Sequence, residues 1–379
     1  MKSRRHVLQL LAATPALAAC GSDHLPNPAA AWRDPGAGET DPRRFALAHA
    51  ILAPNPHNTQ PWLVELDGAD GMTLYCDLDR RLPFTDPFDR QITMGCGAFL
   101  ELYRIAAAQL GHAAEISFFP EGEPTPRLDA RPLAYVRFNP AASAALDPLF
   151  AHIPARRTNR NDYEAASIPA DADLVRVAGA VEGFVGAAQW TVEPAKVAAL
   201  RDLVWRAFDR ELRTRGAQEE TFGWLRFGRN EIAEHRDGLA IEGPMVPLFK
   251  ALGFLGRDDL LNPESTANKQ AAAEWRRKAE TSPAFVWLTT ANDAPSTRLS
   301  AGMAYARLNL AATAAGLAMH PWSQALQEYE EMTELYAEAR ELLGVGEEIV
   351  QMLVRIGYAD AVAPAARRGV EALFSPASL

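Results

Sequence analysis

Two short segments concentrate side chains that could bind a planar, phosphorylated ligand. Asn58 and Gln60 lie in a loop, residues 54–62, that three prolines restrain, and each amide offers both a donor and an acceptor. That combination suits an imide edge or the hydroxyls of a sugar alcohol. Residues 156–160 place three guanidinium groups and one hydroxyl within five positions, which is the chemistry of a phosphate clamp.

Each candidate also has a structural explanation that the sequence leaves open. Residues 156–160 are also typical of a salt-bridge cluster, and Arg367–Arg368 of either further cationic contacts or a solvated tail. His57 and His320 could be buried polar residues with satisfied partners. Trp62 is more typical of core packing than of a ligand contact.

The elements around these segments alternate between helices and strands. Apolar periodicity predicts a short helix over 45–52, followed by a hairpin of strands 62–66 and 72–76 around a Gly- and Asp-containing turn. The mixture of elements indicates the α+β class. Further helices are predicted at 97–110, 196–212, 217–234, 271–280, 299–315 and 331–343, and further strands at 115–119, 133–138, 283–290 and 349–358.

Composition excludes several classes of protein. The chain has 379 residues, enough for two or three domains or one duplicated unit. Its net charge of −10 argues against a nucleic-acid-binding face, so we predict no nucleic-acid partner. Three cysteines are too few for a disulfide scaffold, and no ligand spacing of a zinc site is present, so we predict no metal. Whether Cys76 and Cys96 pair stays open.

The first twenty residues predict an export signal. Arg4-Arg5 precedes an apolar run of 13 residues, Val7 to Ala19, which is shorter than the roughly 20 residues that span a bilayer. The arginine pair resembles a twin-arginine signal, with an ordinary secretory signal as the alternative. Cys20 follows Leu-Ala-Ala as in a lipobox, with a chance cysteine as the alternative.

We therefore divide the beginning of the chain into two parts. Residues 1–19 are predicted to be a twin-arginine lipoprotein signal peptide, and residues 20–41 a flexible linker. The body is predicted to lie on the periplasmic side of a bacterial membrane, held only by acyl chains on Cys20.

Two later segments resemble each other. Residues 97–111 align with residues 302–316 at an offset of 205 positions (302 − 97). Both segments are rich in small residues and end in Gly. Small residues let helices approach closely, so the two could pack at the centre of a pseudo-twofold unit. Shared composition alone would also explain the likeness. We divide the body into halves at 42–150 and 151–379.

The motifs resemble those of one known family. Pro54–Trp62 resembles the Pro-Ser-x-x-Asn-x-Gln-Pro-Trp segment of the FMN-dependent nitroreductase superfamily, and Arg156–Arg160 resembles its Arg-Arg-Ser-x-Arg phosphate segment. Residues 356–368 resemble its C-terminal Gly-Tyr…Arg-Arg segment. The His-Asn-Thr-Gln-Pro-Trp form and the chain length are similar to the mycobacterial Acg-like branch. The resemblance implies a nitroreductase-like α+β fold, with two pseudo-repeats forming an intramolecular pseudo-dimer that binds FMN between its halves.

The resemblance also implies a stoichiometry and a set of contacts. In the family's dimers each flavin takes its phosphate clamp from one subunit and its Asn-x-Gln-Pro-Trp loop from the other. Arg43-Arg44 lacks the following hydroxyl and third arginine, and residues 165–169 lack the loop motif, so we predict one FMN per monomeric chain and a vestigial second site. Trp322 is expected to stack on the flavin or to serve as a lid. The expected FMN contacts are His57, Asn58, Gln60, Arg156, Arg157, Thr158, Arg160, His320, Pro321, Trp322, Arg367 and Arg368.

Two functions follow from the resemblance. The first is an oxidoreductase in which FMN takes a hydride at N5 from NAD(P)H or another donor and reduces a nitro, quinone or related acceptor, with no catalytic side chain required. The alternative is a protein that binds or sequesters FMN without NAD(P)H-dependent turnover. A lid formed by residues 215–265 would favour sequestration, and an open slot over the flavin would favour turnover.

Overall fold

The computed structural model describes residues 25–251 and 256–374. The predicted signal peptide, residues 1–19, and the predicted lipidation site, Cys20, lie outside the described residues. Within the described ranges, no helix has the length and apolar character needed to cross a membrane. Cys76 and Cys96 are both buried and both free.

Most secondary structure agrees with the sequence patterns, and the α+β class is confirmed. The predicted helix over 217–234 is wrong as a single element, because a short strand interrupts it. The strands are β1 (Trp62–Asp67), β2 (Gly71–Cys76), β3 (His112–Phe118), β4 (Ala134–Ser143), β5 (Ala187–Thr191), β6 (Leu225–Phe227), β7 (Leu239–Ile241), β8 (Ala284–Thr290), β9 (Ala318–Pro321) and β10 (Ile349–Gly357). The helices are α1 (Pro42–Ala50), α2 (Arg90–Gln109), α3 (Asp171–Gly179), α4 (Pro194–Arg213), α5 (Arg215–Trp224), α6 (Gly228–His235), α7 (Val246–Ala251), α8 (Arg257–Leu260), α9 (Thr266–Glu280), α10 (Pro295–Ala314) and α11 (Thr333–Leu343).

Two four-stranded antiparallel sheets share one topology. The first has the strand order β1-β2-β4-β3 and the second β5-β8-β10-β9, so each reads first, second, fourth, third strand of its half. In each half a 20-residue helix, α2 or α10, connects the second strand to the third. This repetition agrees with two pseudo-repeats in one chain. A short parallel pair, β6 and β7, stands apart from both sheets.

The two long helices pack against each other about a symmetric contact. A Cβ atom on Gly97 would lie 2.0 Å from the Leu299 carbonyl oxygen, and a Cβ atom on Gly302 would lie 2.0 Å from the Met94 carbonyl oxygen. The two contacts are equivalent under the same offset, because Gly302 follows Gly97 by 205 positions (302 − 97) and Leu299 follows Met94 by 205 positions (299 − 94). The similarity between the two segments is therefore structural, since glycine is needed at both crossing points.

The halves differ most in what joins their first two strands. A three-residue turn, 68–70, connects β1 to β2, whereas residues 192–283 connect β5 to β8 and include α4 to α9. This long connection reaches the first half: the Glu220 carboxylate accepts hydrogen bonds from the backbone amides of Phe84 and Thr85 at 2.7 and 3.0 Å. The final described residues also return to the first half, where Leu373 joins its core.

The flexible linker predicted for 20–41 is wrong for residues 25–41. A 3-10 helix, Ala30–Trp32, lies in this segment, and Trp32 is buried in the core of the first half. The side chain of Asp41 then caps α1, because it accepts a hydrogen bond from the Arg43 backbone amide and Pro42 occupies the first helical turn. The turn-forming composition of this segment suggested flexibility, but the buried side chain of Trp32 packs the segment against the first half.

Candidate functional site

Three arginines converge on one indole ring. The guanidinium carbons of Arg156, Arg157 and Arg367 lie 5.5, 4.5 and 5.2 Å from the ring centroid of Trp32. Arg156 and Arg367 are 2% and 5% exposed. The first two arginines come from the segment before α3 and the third from the C-terminal segment, so two distant parts of the chain form this arginine cluster around the Trp32 ring of a third part. We use that name for Arg156, Arg157 and Arg367.

Only neutral oxygen atoms accept hydrogen bonds from the arginine cluster. The Leu52 carbonyl accepts from Arg156 at 2.9 Å, and the Ala53 carbonyl accepts from Arg367 at 3.1 Å. Nε and one terminal nitrogen of Arg156 have no protein acceptor, and neither does Nε of Arg367. Among the described residues, no carboxylate lies within 4 Å of these three guanidinium groups.

Burial and mutual repulsion oppose the charges of the arginine cluster. Burial, with a smaller contribution from the charge of Arg157, lowers the pKa of Arg156 to about 10. The pKa of Arg367 is also well below its ordinary value, first because of burial and then because of Arg156 and Arg157. A guanidinium group stays protonated in proteins, so all three groups are cations. Buried cations with unused N–H donors and no carboxylate partner are the features expected of an anion-binding site, and we treat the arginine cluster as a candidate.

The predicted ligand loop lies beside this cluster in a strained backbone conformation. His57, Asn58 and Gln60 have φ values of 49°, 54° and 52°, in the left-handed region. The Asn58 amide donates to the carbonyls of Gly238 and Ala366 at 3.1 and 3.0 Å, and its oxygen accepts from Arg367. Asn58 therefore joins the loop, the long connection and the C-terminal segment.

Gln60 makes the same three-way connection one step further along. Its amide donates to the Arg236 carbonyl at 2.9 Å, and its side-chain oxygen accepts from the Arg368 backbone amide at 2.9 Å. Burial lowers the pKa of Arg368 to about 10, with the nearby charge of Arg80 second. In this structure the Asn58 and Gln60 amides have protein partners, and their contact with a ligand stays a prediction.

His57 of the loop lies near Arg160 of the phosphate segment, residues 156–160. His57 Nε2 lies 3.2 Å from the Thr221 hydroxyl oxygen. Burial lowers the pKa of His57 to about 4, and the charge of Arg160 contributes to the same shift, so His57 is neutral at pH 7. Arg160 is exposed and has no ion pair in the described structure, and Thr158 is half-buried. Arg160 is therefore a free cation available to an anion.

Tyr305 of α10 lies near Arg156 and Arg160, at the two ends of the phosphate segment. Burial raises its pKa to about 12, whereas the charges of Arg156 and Arg160 act in the opposite direction. Sequence patterns missed this residue because it lies on an apolar helix face, where a tyrosine is typical of core packing. Trp32 was missed because its neighbours are turn formers, although a lone tryptophan in such a segment was a usable signal.

The segment after Gly316 is more buried than predicted. His320 is 4% exposed, and its Nδ1 accepts a hydrogen bond from Arg355 Nε at 3.2 Å. Burial, followed by the charge of Arg355, holds the pKa of His320 well below its ordinary value. Pro321 ends β9. Trp322 is fully buried in the core of the second half. The stacking of Trp322 on a ligand, or its action as a lid, stays a prediction.

Three of the open alternatives are now decided. Trp62 is core, since it is fully buried with its ring 5.0 Å from that of Phe99. Arg367–Arg368 is not a solvated tail, because both side chains are held by the loop of residues 53–60. The salt-bridge explanation for Arg156 and Arg157 is wrong within the described structure, since no carboxylate pairs with either.

A cleft of about 510 Å³ lies away from this region and differs from it in charge. It is lined by residues of α2, β3 and 144–148, and by Arg307. Arg307 is paired with Glu101 at 2.9 Å and with Asp147 at 2.5 Å. Because its cations are already neutralised, the cleft is a weaker candidate for binding an anion than the arginine cluster.

The fold and the candidate site together describe a class of protein: a duplicated α+β chain in which three arginines have no carboxylate partner in the described structure. Residues 203–358 match the Nitroreductase family, in agreement with the family resemblance of the motifs. The chain is 29% identical over 335 residues to a Mycobacterium tuberculosis protein, an alignment that covers 86% of this chain and 88% of the relative. A second protein of that organism is 36% identical over 102 residues, which is 27% of this chain and 29% of the relative. Their names are "Putative NAD(P)H nitroreductase Rv3131" and "Putative NAD(P)H nitroreductase acg".

One solved structure similar to this chain is that of the FMN-dependent nitroreductase NfnB from Mycobacterium smegmatis, in complex with NADPH. It is 18% identical, with a TM-score of 0.36, and covers 59% of this chain and 95% of that one.

Proposed function

We propose that the chain binds FMN and acts as an FMN-dependent oxidoreductase on a nitro, quinone or related acceptor. The observation that carries the proposal is the arginine cluster, whose buried N–H donors have no acceptor in a chain of net charge −10. A phosphate group offers three strong acceptor oxygens and the missing negative charge. The donor set of the cluster therefore fits the phosphate of FMN, and Arg160 adds an exposed cation beside it. The similarity to nitroreductases supports the same ligand.

Flavin, when bound, supplies hydride transfer between a reduced donor such as NAD(P)H and the acceptor. The residues of this chain would bind and orient it. Arg156, Arg157 and Arg367 would hold the phosphate. The neutral His57 and the loop up to Gln60 would limit where the rest of the ligand can lie.

We also propose a single FMN site per chain and a monomeric pseudo-dimer. The arginine pair of the first half, Arg43-Arg44, supports this stoichiometry because both side chains are already paired with carboxylates. A measured ratio near two FMN per polypeptide, or a stable dimer in solution, would contradict this part of the proposal.

FMN sequestration without turnover is the second candidate, and one contact favours it. The long connection of the second half lies against the candidate loop: Thr221 contacts His57, and the Gly238 backbone amide donates to the Asn58 carbonyl at 3.1 Å. A segment in this position could exclude a nicotinamide while leaving the flavin bound.

The test is an absorption spectrum of the purified protein with its released flavin quantified, before and after anaerobic NADPH. A flavin spectrum that NADPH bleaches would support the oxidoreductase. A flavin that stays oxidised with NADPH but is reduced by a small chemical reductant of matched potential would favour sequestration. A colourless protein that does not bind added FMN would contradict both.

We further propose export to the periplasmic side and anchoring through acyl chains on Cys20. The twin-arginine-like segment and the lipobox-like Leu17–Cys20 support this localisation. Wild-type protein should partition into detergent and incorporate labelled palmitate, and Cys20→Ser should do neither. Equal labelling of both proteins would overturn the anchor.

A further inference from the structure

Trp32 contributes to the arginine cluster from a segment that the proposed function does not use. It provides one aromatic surface for three guanidinium groups, at 4.5 to 5.5 Å from its ring centroid. Its own side chain is 6% exposed. No other described aromatic ring has three arginine guanidinium groups within the distances given for cation–π contacts.

The position of Trp32 is fixed by the same C-terminal segment that supplies Arg367. The indole N–H donates to the Ala365 carbonyl at 2.7 Å. The backbone amide of Arg367 donates to the Pro28 carbonyl at 2.9 Å. Residues 28–32 and 365–367 are thus joined by two hydrogen bonds, which couple the position of the indole to that of Arg367.

The arginine cluster has no carboxylate to offset the repulsion between its guanidinium groups, so another attractive interaction must hold them close together. Arg156, Arg157 and Arg367 repel one another, and their protein hydrogen-bond acceptors are neutral oxygens. The face of an indole carries partial negative charge and attracts a guanidinium group, most strongly where water is excluded. This attraction uses no hydrogen-bond acceptor, so Nε and one terminal nitrogen of Arg156, and Nε of Arg367, remain available to an anion.

We propose that Trp32 is a positioning residue of the phosphate site, holding the three guanidinium groups so that their free N–H edges converge. This inference rests on the proposed FMN-binding function. It also assigns a role to residues 25–41: the segment between the export signal and the body completes the ligand site. Docking of this segment and binding of a phosphate ester would then stabilise each other.

Comparison of FMN with riboflavin separates this role from a merely structural one, because riboflavin lacks the phosphate. The full chain, freed of copurified flavin, would be titrated with each ligand while flavin fluorescence is followed. We expect Trp32→Ala to lower FMN affinity about tenfold while riboflavin affinity changes by less than about twofold. Trp32→Phe, which keeps a smaller aromatic face, should give an intermediate FMN affinity. Leu25→Ala is the matched control, since Leu25 lies in the same segment with its side chain 39% exposed.

Each of the remaining outcomes contradicts a specific part of the proposal. Equal losses for FMN and riboflavin in Trp32→Ala would show that Trp32 only supports the fold. Unchanged FMN affinity would remove Trp32 from the site while the proposed function stands. Wild-type protein that binds FMN no better than riboflavin would overturn the phosphate assignment itself, and Trp32 with it. If Trp32→Ala fails to fold by circular dichroism, the same ligand comparison is made on Trp32→Phe, where an unchanged preference for FMN over riboflavin overturns the proposal.

Discussion

An arginine pair precedes the first strand of each half, Arg43-Arg44 in the first and Arg156-Arg157 in the second, and the surroundings of these two pairs differ. Arg43 is 2.7 Å from the Asp41 carboxylate, and Arg44 is paired with Glu39 and Glu371. Arg156 and Arg157 have no carboxylate partner in the described structure. The same dipeptide is thus neutralised in one half and left bare in the other, so only the second pair can serve an external anion.

The comparison teaches that the duplication is symmetric at its axis and asymmetric at its site. Gly97 and Gly302 make equivalent contacts where the central helices cross. Away from the axis the first half has acidic residues at 39 and 41, before its arginine pair, whereas residues 151–155 before the second pair have none. Both halves keep the glycine because the close packing of the two helices requires it. A single ligand site requires only one arginine cluster without carboxylate partners.

The largest effect should follow from changing the symmetric feature. Gly97→Ala and Gly302→Ala should each lower the free energy of unfolding by about 3 kcal/mol or more, because each new methyl group would meet a backbone oxygen. The predicted approach is 2.0 Å in both cases. Chemical denaturation of both variants measures the loss. Gly223→Ala is the control, since nothing lies within 4 Å of its Cβ position, and it should be neutral or stabilising. Tolerance of one substitution but not the other would show that the axis is not symmetric.

The asymmetric feature should control ligand binding. Arg156→Met should weaken FMN binding by about 100-fold, since charge-assisted hydrogen bonds from a buried guanidinium group contribute about 1.5–3 kcal/mol each. Arg43→Met should change FMN affinity by less than about twofold, because the Arg43 guanidinium already has Asp41 as its partner. Fluorescence titration of both variants gives the comparison. Equal losses in the two would mean that the bare pair is not the phosphate site.

Sequence patterns predicted the central features of the fold for identifiable physical reasons. The repeated small residues of 97–111 and 302–316 predicted a close helix pair, because only glycine permits the observed approach of the two backbones. The hairpin of β1 and β2 was predictable from a local turn and alternating residues. The difference between the two arginine pairs was also predictable, because the hydroxyl and the third arginine that follow Arg156-Arg157, and are missing after Arg43-Arg44, are close by in the sequence.

Contacts between distant segments were beyond such patterns. Trp32 meets Arg367 across more than 300 positions, and nothing near Trp32 in the sequence marks it as part of a cation site. Trp322 was expected at a ligand because of its place after Gly316, and the burial of its side chain in the core beside α4 was not predicted. The amides of Asn58 and Gln60 have protein partners from the long connection, whose path no local pattern specifies.

The pH dependence of stability should differ between variants of the candidate loop. The folded-state pKa of His57 is about 4, below its ordinary value of 6.5, so the unfolded chain binds a proton there first. His57 should therefore lower the free energy of unfolding as pH falls from about 6.5 to 4, by about 2 kcal/mol in total. His57→Asn should remove this contribution, as measured by urea denaturation across that range.

The difference between wild type and variant is needed for the His57 test because other groups act in the opposite direction. Burial raises the pKa of Asp86 to about 6 and that of Glu211 to about 7, so these carboxyl groups favour the folded state as pH falls. Thr221→Val is the control: it removes the hydroxyl partner but keeps the titrating ring, so the His57 contribution should persist. A His57→Asn variant with the wild-type pH profile would show that His57 titrates normally.

The smallest predicted effect is a difference in sign between the two arginine pairs when no ligand is bound. Arg156→Met should raise the free energy of unfolding of the apoprotein by about 1 kcal/mol, because it replaces an uncompensated buried cation with an apolar side chain of similar length. The gain is small because the Leu52 carbonyl loses its 2.9 Å hydrogen bond. Arg43→Met should lower the same quantity by about 1 kcal/mol, since it removes the partner of Asp41 and the donor to the Gly68 carbonyl. Urea denaturation of flavin-free protein measures both changes, and added FMN should reverse the sign only for Arg156→Met, because wild type alone then gains from the bound phosphate. Destabilisation of the flavin-free protein by both substitutions would mean that the second pair is as well compensated as the first, and the distinction between the two halves would then rest on ligand affinity alone.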